Sequence, residues 1–354
     1  MAQEKYNVIG VMSGTSLDGI DLIQAHFRFD GVWQFEILKA ETVTYPESWK
    51  KKLSHLVSCS IDELKTIDDD YTDYLAEVIK NFIEKNAIQH IDAVCSHGHT
   101  ALHQPDEKLT LQIGNLPKIA ALINQKVVCD FRVQDVELGG QGAPLVPIGD
   151  QLLFSEYDFC LNLGGFANIS MDIDGKRIAY DICPVNIVMN HYVEKFGFDY
   201  DDGGQIASKG ELNESLLNDL NHLDFYKAAF PKSLGLEWVR ECVFPLIDAY
   251  QLQVPDILRT FVEHIAIQIA SEFKIKNHAS VLITGGGAYN SYLINRLKVH
   301  SKHSIVIPSS HVLEFKEALI FGFLGVLKLR NEVNCLQSVT GASKNHSSGK
   351  IFLP

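Results

Sequence analysis

The segment SGTSLDG near the start of the chain carries residue types that could bind a phosphate group. Its glycines expose backbone N–H groups, which could cradle a phosphate together with the hydroxyls of Thr15 and Ser16. Asp18 would repel phosphate oxygens, so its carboxylate fits Mg²⁺ or the waters of that ion better. The segment lacks the lysine of a Walker A loop. An ordinary hairpin turn at Asp18-Gly19 therefore stays open as an alternative.

A second candidate is Asp181 in YDICPVN, at the end of an apolar strand and just before a proline turn. A carboxylate in that position could project into a cleft and act as a general base. It could equally cap a helix that begins near Pro184.

A third segment, TGGGAYN, places three glycines between a strand and a helix, where a ligand anion could approach the helix amino terminus. A tight strand-to-helix turn is the alternative.

Histidines and one arginine form a fourth group of candidates. His97, His99 and His103 lie in CSHGHTALHQP, whose spacing could suggest a metal site. Contact with a hydroxyl-rich ligand or simple loop packing fits the surrounding residues better, because the segment contains no Asp or Glu before Asp106. In DFRVQDVELGGQGAPLVP, Arg132 could bind a carboxylate through its planar fork, or merely pair with Asp135.

Charge and composition limit the classes of function. The 354 residues carry a formal charge of −13, which argues against binding to nucleic acid or to an anionic membrane. Bound Mg²⁺ could still supply the local positive charge that ATP needs. Neither a signal-peptide pattern nor a membrane-spanning apolar run is evident. The seven scattered cysteines predict free thiols in a cytoplasmic protein, without a disulfide or zinc framework.

The elements that must position these residues alternate between strand-like and helical patterns, which predicts an α/β fold with a mixed sheet. Helices are expected from Ser60 to Asn86, with a capping box formed by Ser60 and Glu63, and from Asp256 to Lys274. The predicted strands are NVIGVM, IDLIQAHFRF, AVCSHG, KVVCDF, DFCLNL, ANISMDI, RIAYDI, SVLITGG and SIVIP.

A weak internal repeat connects the two halves of the chain. YNVIGVMSGTSLDGIDLIQAHF and YDFCLNLGGFANISMDIDG each read as two strands joined by a glycine-containing turn. A duplicated hairpin predicts two similar lobes, each of which would bring a small-residue turn toward a shared cleft.

Taken in order, the motifs GVMSGTSLDGID, SHGHT, LQIGN, DFRVQDVELGGQGAPLVP, NLGGFANIS, PKSLG, TGGGAYN, EALIFGFLG and SVTGAS closely resemble the anhydro-N-acetylmuramic acid kinase family. That resemblance implies a two-lobed actin-like ATPase (ribonuclease H-like) fold, with ATP and sugar in the cleft between the lobes. The expected amino-terminal lobe comprises residues 1–135 and 331–354, and the expected carboxy-terminal lobe comprises residues 136–330. Relatives suggest a homodimer.

The implied reaction has two joined steps. Water activated by Asp181 opens the 1,6-anhydro ring of 1,6-anhydro-N-acetylmuramic acid, and the released O6 takes the γ-phosphoryl group of ATP to give N-acetylmuramic acid 6-phosphate. Mg²⁺ would lie near Asp18 and Asp181, held through water. The expected sugar-binding residues are His97, Arg132, Asp135 and Glu317. The expected ATP-binding residues are Gly14, Thr15, Ser16, Leu17, Asp18, Gly19, Ile20, Asp21, Gly164, Gly165, Gly285, Gly286 and Gly287.

Two segments differ from the family pattern. The pattern Asp-Thr-Gly-Pro-Gly-Asn reads DICPVN here, and Pro-Lys-Ser-Thr-Gly-Arg reads PKSLGL. A β-branched Val185 resists positive φ, which would alter how backbone amides meet a phosphate. The alternatives are therefore a weakly catalytic relative that binds sugar or nucleotide, or a kinase of another sugar in the same superfamily. A substrate with a carboxylate needs Arg132, whereas a neutral sugar does not.

Overall fold

The computed structural model describes residues 4–14 and 17–354. Strands and helices alternate along the chain, as the sequence predicts. The strands are β1 (Lys5–Ser13), β2 (Gly19–Phe29), β3 (Trp33–Thr44), β4 (Ala93–Gln104), β5 (Leu109–Ile113), β6 (Val127–Cys129), β7 (Phe159–Leu163), β8 (Phe166–Ile173), β9 (Lys176–Pro184), β10 (Ser280–Thr284), β11 (Ser304–Val306) and β12 (Lys350–Phe352).

The α-helices are α1 (Glu47–Leu53), α2 (Ile61–Lys85), α3 (Lys118–Ile123), α4 (Val133–Glu137), α5 (Val146–Leu153), α6 (Asn186–Val193), α7 (Glu214–Asn221), α8 (Leu236–Trp238), α9 (Phe244–Ala249), α10 (Val254–Glu272), α11 (Ser291–His300), α12 (Ser310–Leu329) and α13 (Gln337–Thr340). The predicted capping box starts α2, because the Glu63 N–H donates to the Ser60 hydroxyl oxygen and the Ser60 N–H donates to the Glu63 carboxylate.

Five strands of the first mixed sheet follow the same order as the five strands of the second. The first runs β12-β6-β4-β1-β2-β3, with β5 paired to β4, and the second runs β11-β10-β7-β8-β9. In each, three antiparallel strands form a meander, and the first strand of that meander also pairs in parallel with a later strand. This repetition confirms the predicted α/β class and the duplicated hairpin. By position in the sheet, the Gly164–Gly165 turn corresponds to the turn between β1 and β2.

The chain forms two compact units, one of residues 1–153 and 315–354 and the other of residues 154–314. These bounds differ from the expected ones, since residues 136–153 and 315–330 pack with the first unit. Contacts within that unit explain the difference. Lys316 on α12 pairs with Asp150 on α5 at 2.7 Å, and a Cβ on Gly10 of β1 would lie 2.2 Å from the Ala318 carbonyl oxygen. The α12 segment therefore closes over the first sheet.

Each unit has its own hydrophobic core. In the first, α2 packs on the sheet through side chains that include Leu64, Tyr71 and Phe82. In the second, α10 supplies Phe261, Ile265 and other fully buried residues. The described residues contain no helix with the length and apolar character of a membrane span.

Candidate functional site

Asp181 lies on β9 and is held by the loop that contains PKSLG. The Leu234 N–H and the Ser233 hydroxyl donate to Asp181 Oδ2 at 2.8 and 3.1 Å, and the Asp181 N–H donates to the Lys232 carbonyl oxygen at 3.2 Å. None of the described residues donates a hydrogen bond to Oδ1. Burial raises the pKa of Asp181, although the two donors to Oδ2 oppose that shift. The carboxylate therefore has one fixed oxygen and one oxygen available to a proton.

Sequence reasoning did not foresee that Ser233 and Leu234 hold Asp181, because 52 and 53 residues separate them from it. The quoted motif PKSLG was the available signal. The threonine that the family pattern has at Leu234 is not needed for the strongest of these contacts, since that contact is made by a backbone N–H.

The Asp181–Asn186 segment packs on the turn between β7 and β8. The N–H groups of Val185 and Ile187 donate to the Gly165 carbonyl oxygen at 2.8 and 3.3 Å, and the Asn186 N–H donates to that of Gly164 at 3.3 Å. Val185 has φ −128°, so it avoids the positive φ that its side chain disfavours. These three amides thus hold the loop to the hairpin.

The Gly285–Gly287 turn lies against the same hairpin. Gly285 has φ +84°, and a Cβ there would lie 2.6 Å from Asn162 Oδ1 and 2.8 Å from the Leu163 carbonyl carbon. A Cβ on Gly287 would lie 2.8 Å from Leu163 Cβ. Both positions need glycine for close approach. The second unit therefore brings together Gly164, Gly165, Asp181 and the three glycines of TGGGAYN, although these segments are far apart in sequence.

In the first unit, Arg132 and His97 form a directly bonded pair. Arg132 Nε donates to His97 Nε2 at 2.8 Å, and one Arg132 terminal nitrogen donates to the Gly142 carbonyl oxygen at 2.7 Å. His97 Nδ1 lies 2.8 Å from the Gly98 carbonyl oxygen, so the ring is neutral with its proton on Nδ1. Burial, and then the charge of Arg132, lower the pKa of His97 well below its usual value.

Glu317 lies near Arg132 and Asp21 in the first unit. Its side chain keeps direct access to solvent on one side, while the surrounding protein desolvates it and raises its pKa. Arg132 opposes that shift, and the nearby Asp21 adds to it. Burial lowers the pKa of Arg132 to about 10, with Glu317 acting in the opposite direction. Arg132 therefore stays charged at neutral pH and has a carboxylate in its vicinity.

Asp135 is fully buried. Its Oδ2 accepts the Gly142 N–H at 2.7 Å, and its Oδ1 accepts the Thr340 hydroxyl at 2.8 Å and the Cys335 thiol at 3.0 Å. The carboxylate thus fixes the turn whose Gly142 carbonyl binds Arg132. Its expected role in binding sugar stays a prediction, and these contacts favour a role in positioning Arg132.

The first glycine-rich turn is only partly described, because Thr15 and Ser16 lie outside the described residues. Leu17 has φ +62°, and Asp18 is exposed. Gly19 lies close to β3, where a Cβ would come within 2.6 Å of the Val43 carbonyl oxygen. Ile20 is buried, and Asp21 accepts the Thr42 hydroxyl at 2.6 Å. Gly14 is half-buried. The contacts of Ile20 and Asp21 hold β2, and their expected role in binding ATP stays a prediction.

Buried hydroxyls support the start of this turn and were missed by sequence reasoning. Ser13 Oγ lies 2.5 Å from the Tyr45 hydroxyl, 2.8 Å from the Tyr71 hydroxyl and 2.9 Å from His99 Nδ1. Burial lowers the pKa of His99 to about 4. His103 instead contacts the Thr110 hydroxyl at 3.1 Å. The three histidines of SHGHTALH therefore have three separate partners.

Comparison with known proteins agrees with this arrangement of motifs. A family model described as anhydro-N-acetylmuramic acid kinase matches residues 6–354. The anhydro-N-acetylmuramic acid kinase of Mannheimia succiniciproducens is 33% identical over 98% of this chain and 99% of that protein. The one from Haemophilus influenzae is 30% identical over 97% of each chain. A solved xylulose kinase from Lactobacillus acidophilus is 11% identical, with a TM-score of 0.47 over 99% of this chain and 94% of that one.

A match over nearly the whole length places the chain in a class of kinases. The chain belongs to the anhydro-N-acetylmuramic acid kinase family.

Proposed function

We propose that this protein is an ATP-dependent kinase that opens the 1,6-anhydro ring of 1,6-anhydro-N-acetylmuramic acid and phosphorylates O6, giving N-acetylmuramic acid 6-phosphate during cell-wall recycling. Family membership supports the substrate. The observation that carries the chemistry is Asp181, which has a raised pKa, one oxygen held by Ser233 and Leu234, and a second oxygen to which none of the described residues donates. That is the environment of a general base.

In the proposed reaction, Asp181 Oδ1 takes a proton from water as the water oxygen bonds to the anomeric carbon. The bond between that carbon and O6 breaks, O6 attacks the γ-phosphorus of ATP, and ADP leaves. The Ser233 hydroxyl and the Leu234 N–H keep the carboxylate in one orientation throughout. General-base catalysis of this kind contributes about 10²–10⁴ in rate.

Recognition of the sugar is assigned to the first unit. Arg132 keeps its charge at neutral pH. Its two hydrogen bonds use Nε and one terminal nitrogen, so the other terminal nitrogen donates to none of the described residues. A planar fork of this kind suits the lactyl carboxylate of the sugar. His97 accepts a hydrogen bond from the guanidinium and so fixes its position. The Glu317 carboxylate acts to raise the pKa of Arg132.

Nucleotide binding is assigned to the glycine-rich turns, Gly14–Asp21 in the first unit and Gly164–Gly165 with Gly285–Gly287 in the second. The exposed Asp18 and the unbonded oxygen of Asp181 are hard donors that fit Mg²⁺ held through water. When bound, Mg²⁺ would offset negative charge on the phosphates. The prediction that ATP and sugar occupy a cleft between the lobes stays a prediction.

The test is release of ADP from Mg·ATP with and without 1,6-anhydro-N-acetylmuramic acid, for the wild type and for Asp181→Asn. We expect sugar-dependent turnover that the substitution reduces by about 10²–10⁴. Asp174→Asn is the matched control, because Asp174 lies in an exposed turn with positive φ that asparagine also tolerates. Equal activity of Asp181→Asn and the wild type would contradict the assignment of the base.

A second candidate is a protein that binds sugar or nucleotide with little catalysis. It is favoured by the Val185, Asn186 and Ile187 amides, which already donate to the Gly164 and Gly165 carbonyl oxygens and so are not free for a phosphate. Calorimetric binding of ATP or sugar without sugar-dependent ADP release would select this candidate.

We further propose a cytoplasmic location and a homodimer. The location is supported by seven free cysteines, which are typical of a reducing compartment. The homodimer rests on the family resemblance and is tested by light scattering of the purified protein, where a monomer mass would contradict it.

A further inference from the structure

Three side chains with metal-binding atoms meet in the first unit, beside the turn whose Gly142 carbonyl oxygen binds Arg132. They are Asp135 on α4, Cys335 after α12, and His346 near the carboxy terminus, and their ligand atoms all lie within 4.8 Å of one another. Cys335 Sγ is 3.0 Å and His346 Nε2 is 3.6 Å from Asp135 Oδ1. The exposed fractions of the three residues are 0%, 1% and 6%.

The hydrogen bonding of His346 leaves one nitrogen without a partner. Nδ1 lies 3.1 Å from the Lys344 carbonyl oxygen. A carbonyl oxygen only accepts, so Nδ1 carries the proton and a neutral ring has its lone pair on Nε2. That nitrogen is buried with no hydrogen-bond partner among the described residues, and it faces the Asp135 carboxylate. A lone pair and a carboxylate oxygen repel each other unless a cation lies between them or Nε2 is protonated.

We propose that Asp135, Cys335 and His346 bind a Zn²⁺ ion, with a fourth position left for water. A set of one sulfur, one nitrogen and one oxygen suits Zn²⁺, whereas Mg²⁺ and Ca²⁺ select oxygen ligands. The Nδ1 contact of His346 is the outer interaction that fixes a zinc-binding imidazole. Binding forms a bond from zinc to sulfur and releases the thiol proton of Cys335 to solvent.

All three ligands are buried, so the metal would stabilise this part of the fold. Asp135 Oδ2 also accepts the Gly142 N–H, so its carboxylate is already oriented. Cys335 and His346 exchange backbone hydrogen bonds of 3.1 and 3.2 Å, which holds their side chains on one short bridge. The metal would therefore fasten the segment from Cys335 to His346 onto α4, the helix that follows Arg132.

The first measurement uses the full-length protein, reduced, freed of metal with a chelator and then titrated with Zn²⁺ or Co²⁺ alone. We expect one Zn²⁺ per chain and, with Co²⁺, the near-ultraviolet absorption band of a thiolate bound to cobalt. This measurement uses the wild-type protein, so it does not depend on whether a variant folds correctly.

The second measurement repeats the titration with Cys335→Ser and His346→Gln. Loss of an outer partner of a metal site weakens binding roughly 10–100-fold, so loss of a ligand should weaken it by about 100-fold or more. Cys59→Ser, which removes a half-buried thiol outside the cluster, should leave Zn²⁺ binding unchanged. Absence of the cobalt–thiolate band, or equal Zn²⁺ affinity in both ligand variants and the wild type, would overturn the site. His346 and Asp135 would then interact without a metal.

Discussion

Burial shifts the pKa values of the proposed base Asp181 and of the proposed sugar-binding Arg132 in opposite directions, because in both it disfavours the charged form. It raises the pKa of Asp181, which favours the neutral acid, and it lowers the pKa of Arg132, which favours the neutral guanidine. The outcomes differ because Arg132 starts from a much higher value and is still charged when its pKa is about 10. Asp181 instead becomes a stronger base than an ordinary aspartate.

The raised pKa of Asp181 predicts an acid limb in the pH profile. The proposed base must be ionised, so turnover should fall as pH drops through a pKa above the ordinary aspartate value of about 3.9. Sugar-dependent ADP release measured as kcat/KM against pH checks this. The residual rate of Asp181→Asn should lack that limb, which separates it from titration of the substrates. A limb shared by wild type and variant would contradict the prediction.

Substitution of Arg132 should separate the two substrates. Arg132→Ala removes the cation proposed to bind the lactyl carboxylate, so we expect KM for the sugar to rise by about 10-fold or more, as for the loss of a charged hydrogen bond, with KM for ATP nearly unchanged. Arg132→Lys keeps the charge and loses the planar fork, so its KM for the sugar should lie between that of the wild type and that of Arg132→Ala. Equal increases in both KM values would remove the assignment.

Single residues were predictable from the sequence only where a motif contains them. The motifs contain Asp181 and Arg132, whose roles stay predictions, and Ser60 and Glu63 were correctly expected to form a capping box. The partners of Asp181 could not be found by spacing, because Ser233 and Leu234 reach it through tertiary packing. The same holds for Cys335, which lies 200 residues from Asp135.

At the scale of elements, two turns that contain glycine differ in how closely other atoms approach the glycine. Gly285 and Gly175 both have positive φ, +84° and +75°, but only Gly285 is crowded. A Cβ on Gly175 would have no atom of the described residues within 4 Å, whereas one on Gly285 would meet Asn162 and Leu163. The pair thus separates backbone strain from steric overlap.

Alanine at these two positions should destabilise the protein unequally. Gly175→Ala is expected to lower the free energy of unfolding by about 1–2 kcal/mol through its left-handed backbone. Gly285→Ala should cost about 1–3 kcal/mol more, because neighbouring atoms must move to admit the methyl group. Urea denaturation of both variants measures the difference, and equal losses would contradict it.

The long helices α2 and α10 were predicted from their apolar patterns, whereas the apolar helix α12 and strand β3 were missed. The helix expected from Ser60 to Asn86 is α2, and the one expected from Asp256 to Lys274 is α10, shifted by two residues. Strand β3 was not predicted, because it carries charges such as Glu36, Lys39 and Glu41. Its position at the edge of the first sheet explains that composition, since charged edges discourage pairing with other chains.

At the scale of the whole molecule, the two units differ in continuity. Residues 154–314 form one unbroken segment that contains the whole of its hydrophobic core. The other unit needs residues 315–354 as well as 1–153. From α12, Phe321 packs against Phe131 with ring centroids 5.7 Å apart, and Phe323 packs against Phe27 at 5.3 Å.

This difference predicts unequal behaviour of fragments. A fragment of residues 154–314 should fold and unfold cooperatively in urea, because it keeps its core intact. A fragment of residues 1–153 should not, because without α12 the sheet exposes Phe27, Phe131 and the groove beside Gly10. Circular dichroism during urea titration compares the two. Cooperative unfolding of residues 1–153 alone would contradict the prediction.

The same discontinuity has a consequence for synthesis on the ribosome. Domains generally fold as units during translation, the amino-terminal one first. Here the amino-terminal unit waits for residues 315–354, while the inserted unit emerges complete before them. We therefore expect the nascent chain to fold its middle first. Until residues 315–354 have emerged, the apolar face of the first sheet is uncovered and is the part of the nascent protein that most needs a chaperone.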